Sequence, residues 1–275
     1  YISKTLTFYN KTLFAKAGLA GPPKSFDELM AAADKIGGGS NAGYITLNFD
    51  WLYWSLFAMN GVELLSQDLK TPTFNTPAAI AVVERLAKGT AGAAIDKISW
   101  TGRWVEPLGA FASGRIGMLN AHSPAYYYIK GQGAWVNPDT LGAAQGPGGW
   151  AVPNSHGLGI SKGSKNPELA WDFLTFITSK QEMMKFAGVR KILSANTELD
   201  NELLAGLEKS DPLGAVVLRT QLADTDKMTG NWRLGNDSRV KDAFYSELQN
   251  ALLGRKATGK IVIDPDWEEI MLAPT

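Results

Sequence analysis

Residues 8–29 read FYNKTLFAKAGLAGPPKSFDEL. The stretch predicts the end of a strand and then a short helix over 10–17, which Gly18 closes because glycine accepts the left-handed backbone that follows many helices. Ser25 and Glu28 stand three residues apart ahead of an apolar run, the spacing of a capping box at a helix N-terminus. The stretch therefore predicts a strand, a helix, a turn and a second helix in close succession.

Strands and helices alternate in the rest of the sequence. Thr76 and Pro77 are typical of a helix N-cap and first turn, and Ser179 and Glu182 predict a second capping box. Further helices are predicted over 26–36, 51–59, 77–88, 102–111, 167–177, 199–208, 211–225 and 237–253, and strands over 44–47, 116–120, 141–144 and 157–161. This alternation favours an α/β fold, for which we expect a largely parallel sheet.

The composition excludes several classes of function. The chain has 275 residues, 45% hydrophobic and 20% charged, enough for a substantial core. Lys and Arg number 27, as do Asp and Glu, and this balance argues against nucleic-acid binding. Cysteine is absent and only two histidines occur, so we expect no metal site and no cofactor. No basic and apolar leader opens the sequence, so we expect any export signal to have been removed or to lie outside the given residues.

The first candidate site follows the predicted strand over 44–47. Asp50 and Trp51 stand there, and the carboxyl end of a strand is where α/β folds bind ligands. Asp50 could accept hydrogen bonds from sugar hydroxyls while Trp51 stacks on a sugar ring. The alternative is that Asp50 caps a helix and Trp51 packs in the core.

Three further clusters combine polar and aromatic side chains. The candidate ligand contacts are Asn120, His122 and Tyr126 after one strand, Trp150, His156 and Gly157 ahead of another, and Trp232 and Arg233 in a polar loop. The alternatives are a hydrogen-bonded core histidine, tyrosines of an amphipathic helix and a surface loop anchored by one tryptophan. The glycine-rich stretches 37–39 and 146–149 lack the frame of a nucleotide-binding loop and predict turns.

Four motifs, in order, resemble the extracellular solute-binding proteins of carbohydrate ABC transporters. Residues 8–29 are similar to that family's Tyr-Asn-Lys, Gly-Leu and capped-helix segment. Residues 74–78, FNTPA, resemble a helix start of the family, and residues 110–118, AFASGRIGM, resemble its Phe-x-x-Gly-x-x-x-Met strand entry. Residues 157–176 resemble its crossover strand and helix. The resemblance covers nearly the whole chain.

The resemblance implies a periplasmic or cell-surface protein of the maltose-binding type. Two α/β lobes would close on a sugar or oligosaccharide and present it to the permease subunits of an importer, without catalysis. Carried over by position, Trp51 would stack on a ring, Tyr126 would belong to a second aromatic contact, Gly157 would offer a backbone contact and Trp232 would contact the ligand from the C-terminal part.

The resemblance also implies a division of the chain. Residues 1–159 would form a ligand-facing C-terminal lobe, and 160–206 a crossover strand and helices that normally belong to the N-terminal lobe. Residues 207–275 would return to the C-terminal lobe. Family members carry more of the N-terminal lobe before the Tyr-Asn-Lys segment, so we expect a helix-rich type II lobe with an incomplete second lobe, as in part of a longer or split protein. Helices near 160–205 would then expose an apolar face.

Two other functions stay open on sequence alone. A carbohydrate-active hydrolase could use the same aromatic residues, because glycosidase carboxylates are defined by their separation in space. A sugar-sensing receptor could use the chain as its ligand-binding domain, which would require a membrane span elsewhere in the gene.

Overall fold

The computed structural model shows a mixed sheet with helices packed around it. It describes residues 1–47, 54–63, 66–67, 73–74, 76–223, 227–229 and 237–258, with the backbone alone for 237–241. The strands are β1 (Ile2–Asn10), β2 (Ala42–Ile45), β3 (Ile116–His122), β4 (Leu141–Ala144) and β5 (Pro153–Ser155). The helices are α1 (Lys11–Lys16), α2 (Phe26–Ile36), α3 (Trp54–Ala58), α4 (Pro77–Ala91), α5 (Val105–Ala112), α6 (Ala125–Gln132), α7 (Pro167–Ile177), α8 (Lys180–Arg190), α9 (Thr197–Ser210), α10 (Pro212–Leu222) and α11 (Asp237–Leu252).

β1 is the central strand of the sheet. It pairs antiparallel with β3 on one side and with β4 on the other, and β2 lies outside β3, which gives the order β2-β3-β1-β4. At its N-terminal end β1 also pairs antiparallel with β5. The prediction of a largely parallel sheet is wrong, since among the described strands only β2 and β3 run parallel.

The expectation of a parallel sheet failed because alternation does not specify which strands are neighbours. β2 and β3 are joined by a long connection whose described residues include α3, α4 and α5, and a parallel pair requires such a crossover. β1 precedes β2 in the chain but pairs with β3, to which it runs antiparallel. The order of strands and helices in the sequence does not show this direction. The α/β class itself is confirmed.

The opening stretch folds largely as its residues predict. Asn10 caps α1, and its Oδ1 accepts hydrogen bonds from two N–H groups of the first turn at 3.0 and 3.1 Å. Gly18 follows with a φ of 67°, which glycine adopts without strain. Ser25 Oγ accepts from the Glu28 N–H at 3.1 Å, but the Glu28 carboxylate accepts from the Lys24 N–H at 2.7 Å rather than from Ser25.

The start of α4 is confirmed, and its predicted end is wrong. Thr76 Oγ1 accepts from the Ala79 N–H at 3.2 Å, as an N-cap does. The helix continues through Gly89 to Ala91. Gly89 stays helical because it meets the core closely: a Cβ there would lie 3.0–3.1 Å from side-chain atoms of Met30 and Ile95. The glycine at this position allows close packing and does not end the helix.

Two predictions around α7 and α8 are also wrong. The segment 157–161 pairs with no other strand among the described residues, and the strand of this region is β5, a few residues earlier. Ser179 precedes α8 but makes no side-chain cap hydrogen bond.

No described helix is long and apolar enough to cross a bilayer.

Two large apolar cores contain the strands. The first unites Tyr44 and Met118 with residues of α1 to α4 and α11. The second unites Ile45 and Leu119 with residues of α5, α6 and α10. Because neighbouring residues of a strand point to opposite faces, these two pairs lie on opposite faces of the sheet.

α7 is apolar, yet none of its residues is buried. Its large exposed side chains are Leu169, Trp171, Phe173 and Phe176, each between 59% and 69% exposed. A helix that is apolar on most sides is normally buried. The apolar face expected near 160–205 is therefore present. Leu169, Phe173 and Phe176 lie on one side of the helix, and we call these three side chains the α7 face.

The closest approach of α2 to the sheet gives a stability test at Gly43. A Cβ on Gly43 would lie 2.1 Å from Ala33 O and 2.3 Å from Ala33 Cα. Because backbone atoms cannot move aside as side chains do, we expect Gly43→Ala to lower the free energy of unfolding by about 3 kcal/mol in urea denaturation.

Gly131→Ala in α6 is the matched control for Gly43→Ala. A Cβ there meets nothing within 4 Å. Alanine at this position should stabilise the protein by about 0.5 kcal/mol, because it has the higher helix propensity. Equal losses of stability in the two variants would contradict the close approach at Gly43.

Candidate binding site at the strand ends

One face of the sheet becomes polar toward the ends of its central strands. In the antiparallel pair of β1 and β3, Thr7 lies opposite Asn120 and Thr5 lies opposite His122. Directly opposed residues place their side chains on the same face, about 5 Å apart. All four side chains are buried, with 6% or less of each residue exposed.

β2 extends this polar face on the other side of β3. Tyr44 lies opposite Met118, so Thr46, two residues further on, is the neighbour of Asn120. Burial raises the pKa of Tyr44 to about 12, although the nearby polar side chains of Thr46 and Asn120 lower it in part. We call this set of side chains the polar strand-end patch; it consists of Thr5, Thr7, Thr46, Asn120 and His122.

Ser123 adds a buried hydroxyl at the end of β3. Its N–H donates to Lys4 O of β1 at 3.2 Å. Its Oγ is buried and has no hydrogen-bond partner among the described residues. A buried hydroxyl without a partner is costly unless water or a ligand satisfies it. The end of β3 is therefore a place where a polar group is expected to bind.

Trp150 lies beside the patch because the residues that follow Trp150 in the chain are hydrogen-bonded to β1. The Thr5 N–H donates to Val152 O at 3.1 Å, and Thr5 Oγ1 accepts from the Val152 N–H at 2.8 Å. Ala151 in turn makes two backbone hydrogen bonds of 3.0 Å with the segment 227–229. The half-buried Trp150 thus directly precedes a segment that is bonded both to β1 and to 227–229.

The chemistry of this region is polar without fixed charge. The patch offers hydroxyl, amide and imidazole groups, which both donate and accept hydrogen bonds. Trp150 adds an aromatic ring with an apolar face. No group of three or more His, Asp or Glu in the described part of the chain could hold a metal ion. The arrangement suits a neutral ligand with many hydroxyl groups.

Tyr126 lies in the interior at the start of α6. It is 1% exposed, and its hydroxyl donates to Asp211 Oδ1 at 3.0 Å. Burial, together with the charge of Asp211, raises the pKa of Tyr126. Burial also raises the pKa of Asp211, but hydrogen bonds from Lys130, the Gly214 N–H and Tyr126 outweigh this, so the net pKa is lowered. In this structure the Tyr126 hydroxyl is therefore hydrogen-bonded to a carboxylate beside α10.

The other predicted contacts divide between two places. His156 and Gly157 are exposed, and the His156 ring stacks on Tyr1 with centroids 4.5 Å apart. Tyr1 is four residues before Thr5, about 13 Å along an extended strand, so the structure does not bring these two residues into the patch. The predictions for Asp50, Trp51, Trp232 and Arg233 lie outside the described residues and stay predictions.

The connections from the sheet to α7 and α8 lie side by side in a region that we call the junction. It consists of Ile2–Lys4 of β1, β5 ahead of α7, and Leu193 after α8. Ile2 lies opposite Ser155 of β5. Ile2 and Leu193 exchange two backbone hydrogen bonds, each of 2.9 Å. The connections to α7 and α8 therefore meet at Ile2.

Sequence reasoning missed four polar residues of this region. Thr5, Thr7 and Thr46 belong to the patch, and Ser123 adjoins it. The signal was present in β1, where polar residues alternate with Leu6 and Phe8. Such alternation marks a strand with two chemically different faces, but it does not show which residues lie opposite the polar one.

Residues 1–184 match the family described as bacterial extracellular solute-binding protein. The chain belongs to this family. The match includes β1, the polar strand-end patch and α7. The family resemblance of the sequence is thereby confirmed.

The curated relatives of this solute-binding protein are longer than the chain. A binding protein of Brucella abortus (strain 2308) is 30% identical over an alignment of 202 positions that covers 70% of this chain and 48% of that protein. The sn-glycerol-3-phosphate-binding periplasmic protein UgpB of Agrobacterium fabrum is 25% identical over an alignment of 286 positions, gaps included, that covers 95% of this chain and 63% of that protein. The chain thus spans about half the length of the Brucella relative.

Solved structures confirm the fold. A solute-binding protein of an ABC transporter from Thermotoga lettingae, bound with α-D-tagatose, superposes with a TM-score of 0.80 at 20% sequence identity. The comparison covers 98% of this chain and 71% of the other. The predicted α/β, periplasmic-binding type of fold is therefore correct.

The contact between Tyr126 and Asp211 can be separated from ligand binding. We expect Tyr126→Phe to lower the free energy of unfolding by about 1.5 kcal/mol, because it removes a hydrogen bond to a charged group. Tyr127→Phe is the control, because the neighbouring Tyr127 is 61% exposed. A Tyr126→Phe variant with full stability and weakened sugar affinity would instead make Tyr126 a ligand contact.

Proposed function

We propose that this solute-binding protein holds a sugar or oligosaccharide outside the cytoplasm and delivers it to the permease of an ABC importer. The observation that carries the proposal is the polar strand-end patch. Its five side chains hold hydroxyl, amide and imidazole groups on one sheet face, at the ends of adjacent strands. The family and the tagatose-bound neighbour support the same class of ligand.

The absence of fixed charge in the patch favours a sugar over a glycerol phosphate, although UgpB is a relative. A phosphate ligand is normally held by Arg or Lys side chains and by N–H groups at a helix start. Sugar hydroxyls need paired donors and acceptors, which Thr and Asn side chains provide. We assign no catalytic step, because neither a carboxylate nor a nucleophile paired with a base is among the five side chains.

The patch lies below the surface, so it forms the floor of the proposed site. Asn120 and His122 lie in the centre of this floor, opposite Thr7 and Thr5. The half-buried Trp150 forms a wall that the ligand reaches first. Ring stacking on Trp150 and hydrogen bonds to the floor would together give micromolar affinity, about −8 kcal/mol.

The α7 face supports the proposed division of the chain into parts of two lobes. Exposed apolar patches of this kind mark surfaces that other protein covers. We propose that residues 160–206 pack on the remainder of a second lobe, while 1–159 and 207–275 form the lobe that carries the patch. The junction would then be the hinge about which the lobes close on the sugar, in the periplasm or at the cell surface.

Calorimetry with a panel of neutral mono- and oligosaccharides, including D-tagatose and maltose, tests the proposed ligand. We expect at least one sugar to bind, and Asn120→Ala to weaken it about tenfold through loss of hydrogen bonds in the floor. Asn201→Ala on the exposed side of α9 is the matched control and should bind normally.

Two results of the calorimetry would overturn the proposal. The first is the absence of binding by any sugar when sn-glycerol 3-phosphate binds. The second is hydrolysis of an oligosaccharide during the titration, which would favour the hydrolase.

The α7 face gives a separate test of the second lobe. The 275-residue chain should bind the dye ANS, and Leu169→Gln with Phe173→Gln should remove most of the fluorescence, because the dye reports exposed apolar surface. Tyr127→Gln on α6 is the control and should leave the signal unchanged. A parent protein of the relatives' length that still binds ANS at this face would contradict the proposal.

A further inference from the structure

Lys191 is a buried lysine in a left-handed backbone conformation at the end of α8. Its φ is 53° and its ψ is 47°, and it is 8% exposed. Lysine rarely adopts this conformation, so the surrounding contacts must hold it there. Lys191 stands two residues before Leu193, which is bonded to Ile2 in the junction.

α10 holds Lys191 near both ends of the helix. Lys191 Nζ lies 3.4 Å from Asp211 Oδ2, beside the first turn, and also donates to Gly188 O. Near the last turn, Gln221 Nε2 donates to Lys191 O at 2.6 Å. Gln221 has no exposed surface. The backbone and the charge of Lys191 are thus both bound to the same helix.

Asp211 connects Lys191 to α6. Its carboxylate accepts from the Tyr126 hydroxyl at 3.0 Å and from Lys130 Nζ at 2.9 Å, and it caps α10 through the Gly214 N–H at 3.2 Å. α6 begins directly after Ser123 and Pro124, at the end of the strand that carries Asn120 and His122. One carboxylate therefore faces two lysines and one tyrosine, from α6 and from the end of α8.

We propose that Asp211 is a positioning residue that fixes the junction to the lobe of the polar strand-end patch, by holding Lys191 and α6 in one ionic cluster. Its functional meaning rests on the proposed lobe closure. Because Lys191 is fixed to α10 by its charge and by its backbone, the chain that runs from Lys191 to Leu193 is anchored next to the junction. Loss of the cluster would free the junction without changing any group in the patch.

Asp211→Asn removes the charge and keeps an oxygen that can cap α10, so the variant should fold. Amide hydrogen exchange reads the junction directly, because the N–H groups of Ile2 and Leu193 bond each other's carbonyls. We expect these two amides to exchange about tenfold faster in Asp211→Asn, with the amides of Phe8 and Leu119 unchanged. Lys191→Met should give the same local pattern, and exposed Asp139→Asn should give none.

Two outcomes would overturn the inference. Equal acceleration at Phe8 and Leu119 would make Asp211 a general stability residue, and unchanged exchange at Ile2 and Leu193 would remove its link to the junction. Both readouts are made without ligand. A failed sugar screen would therefore overturn the proposed function alone, and a uniform exchange pattern would overturn this inference even if a sugar binds.

Discussion

The structure depends on one constraint, the pairing of β1 along both of its edges. β1 is bonded to β3 and β4 in the sheet and to β5 in the junction. Since its residues alternate between faces, this pairing sends Leu6 and Phe8 to an apolar core and Thr5 and Thr7 to the polar face. A register shift of one residue would reverse both faces and remove the core and the patch together.

Local signals in the sequence predicted the helices well. Thr76 caps α4 as predicted, because its hydroxyl accepts from an N–H group of the following turn. Asn10, predicted to be the first residue of a helix, caps α1 instead. The end of α4 was missed because the fold needs a glycine at position 89 for close packing, where a Cβ would lie 3.0–3.1 Å from side-chain atoms of Met30 and Ile95. The direction of β1 was also missed, since the residues of one strand do not show which other strand it pairs with.

The candidate site was predictable where its residues follow the end of a strand. Asn120 and His122 were found in this way, and the structure places both in the patch. Thr5 and Thr7 were missed because they become part of the site only through their cross-strand neighbours. Tyr126 looked like a ligand contact beside them, but its hydroxyl meets Asp211, which is 85 residues away. The separation of Tyr126 and Asp211 in the sequence gives no indication of this contact.

The two ends of β1 differ in mechanical stiffness. In the sheet, β1 pairs with β3 over Thr5–Tyr9 and with β4 over Thr7–Asn10, so both of its edges are paired over Thr7–Tyr9. In the junction, its partner β5 has three residues, and the first, Pro153, has no N–H to donate. Among the described residues, this end is also bonded to Leu193 through Ile2 alone, whereas β3 and β4 are bonded to β1 over several consecutive residues. In the proposed closure β1 would therefore bend at this end, and the spacing between Thr7 and Asn120 would be preserved.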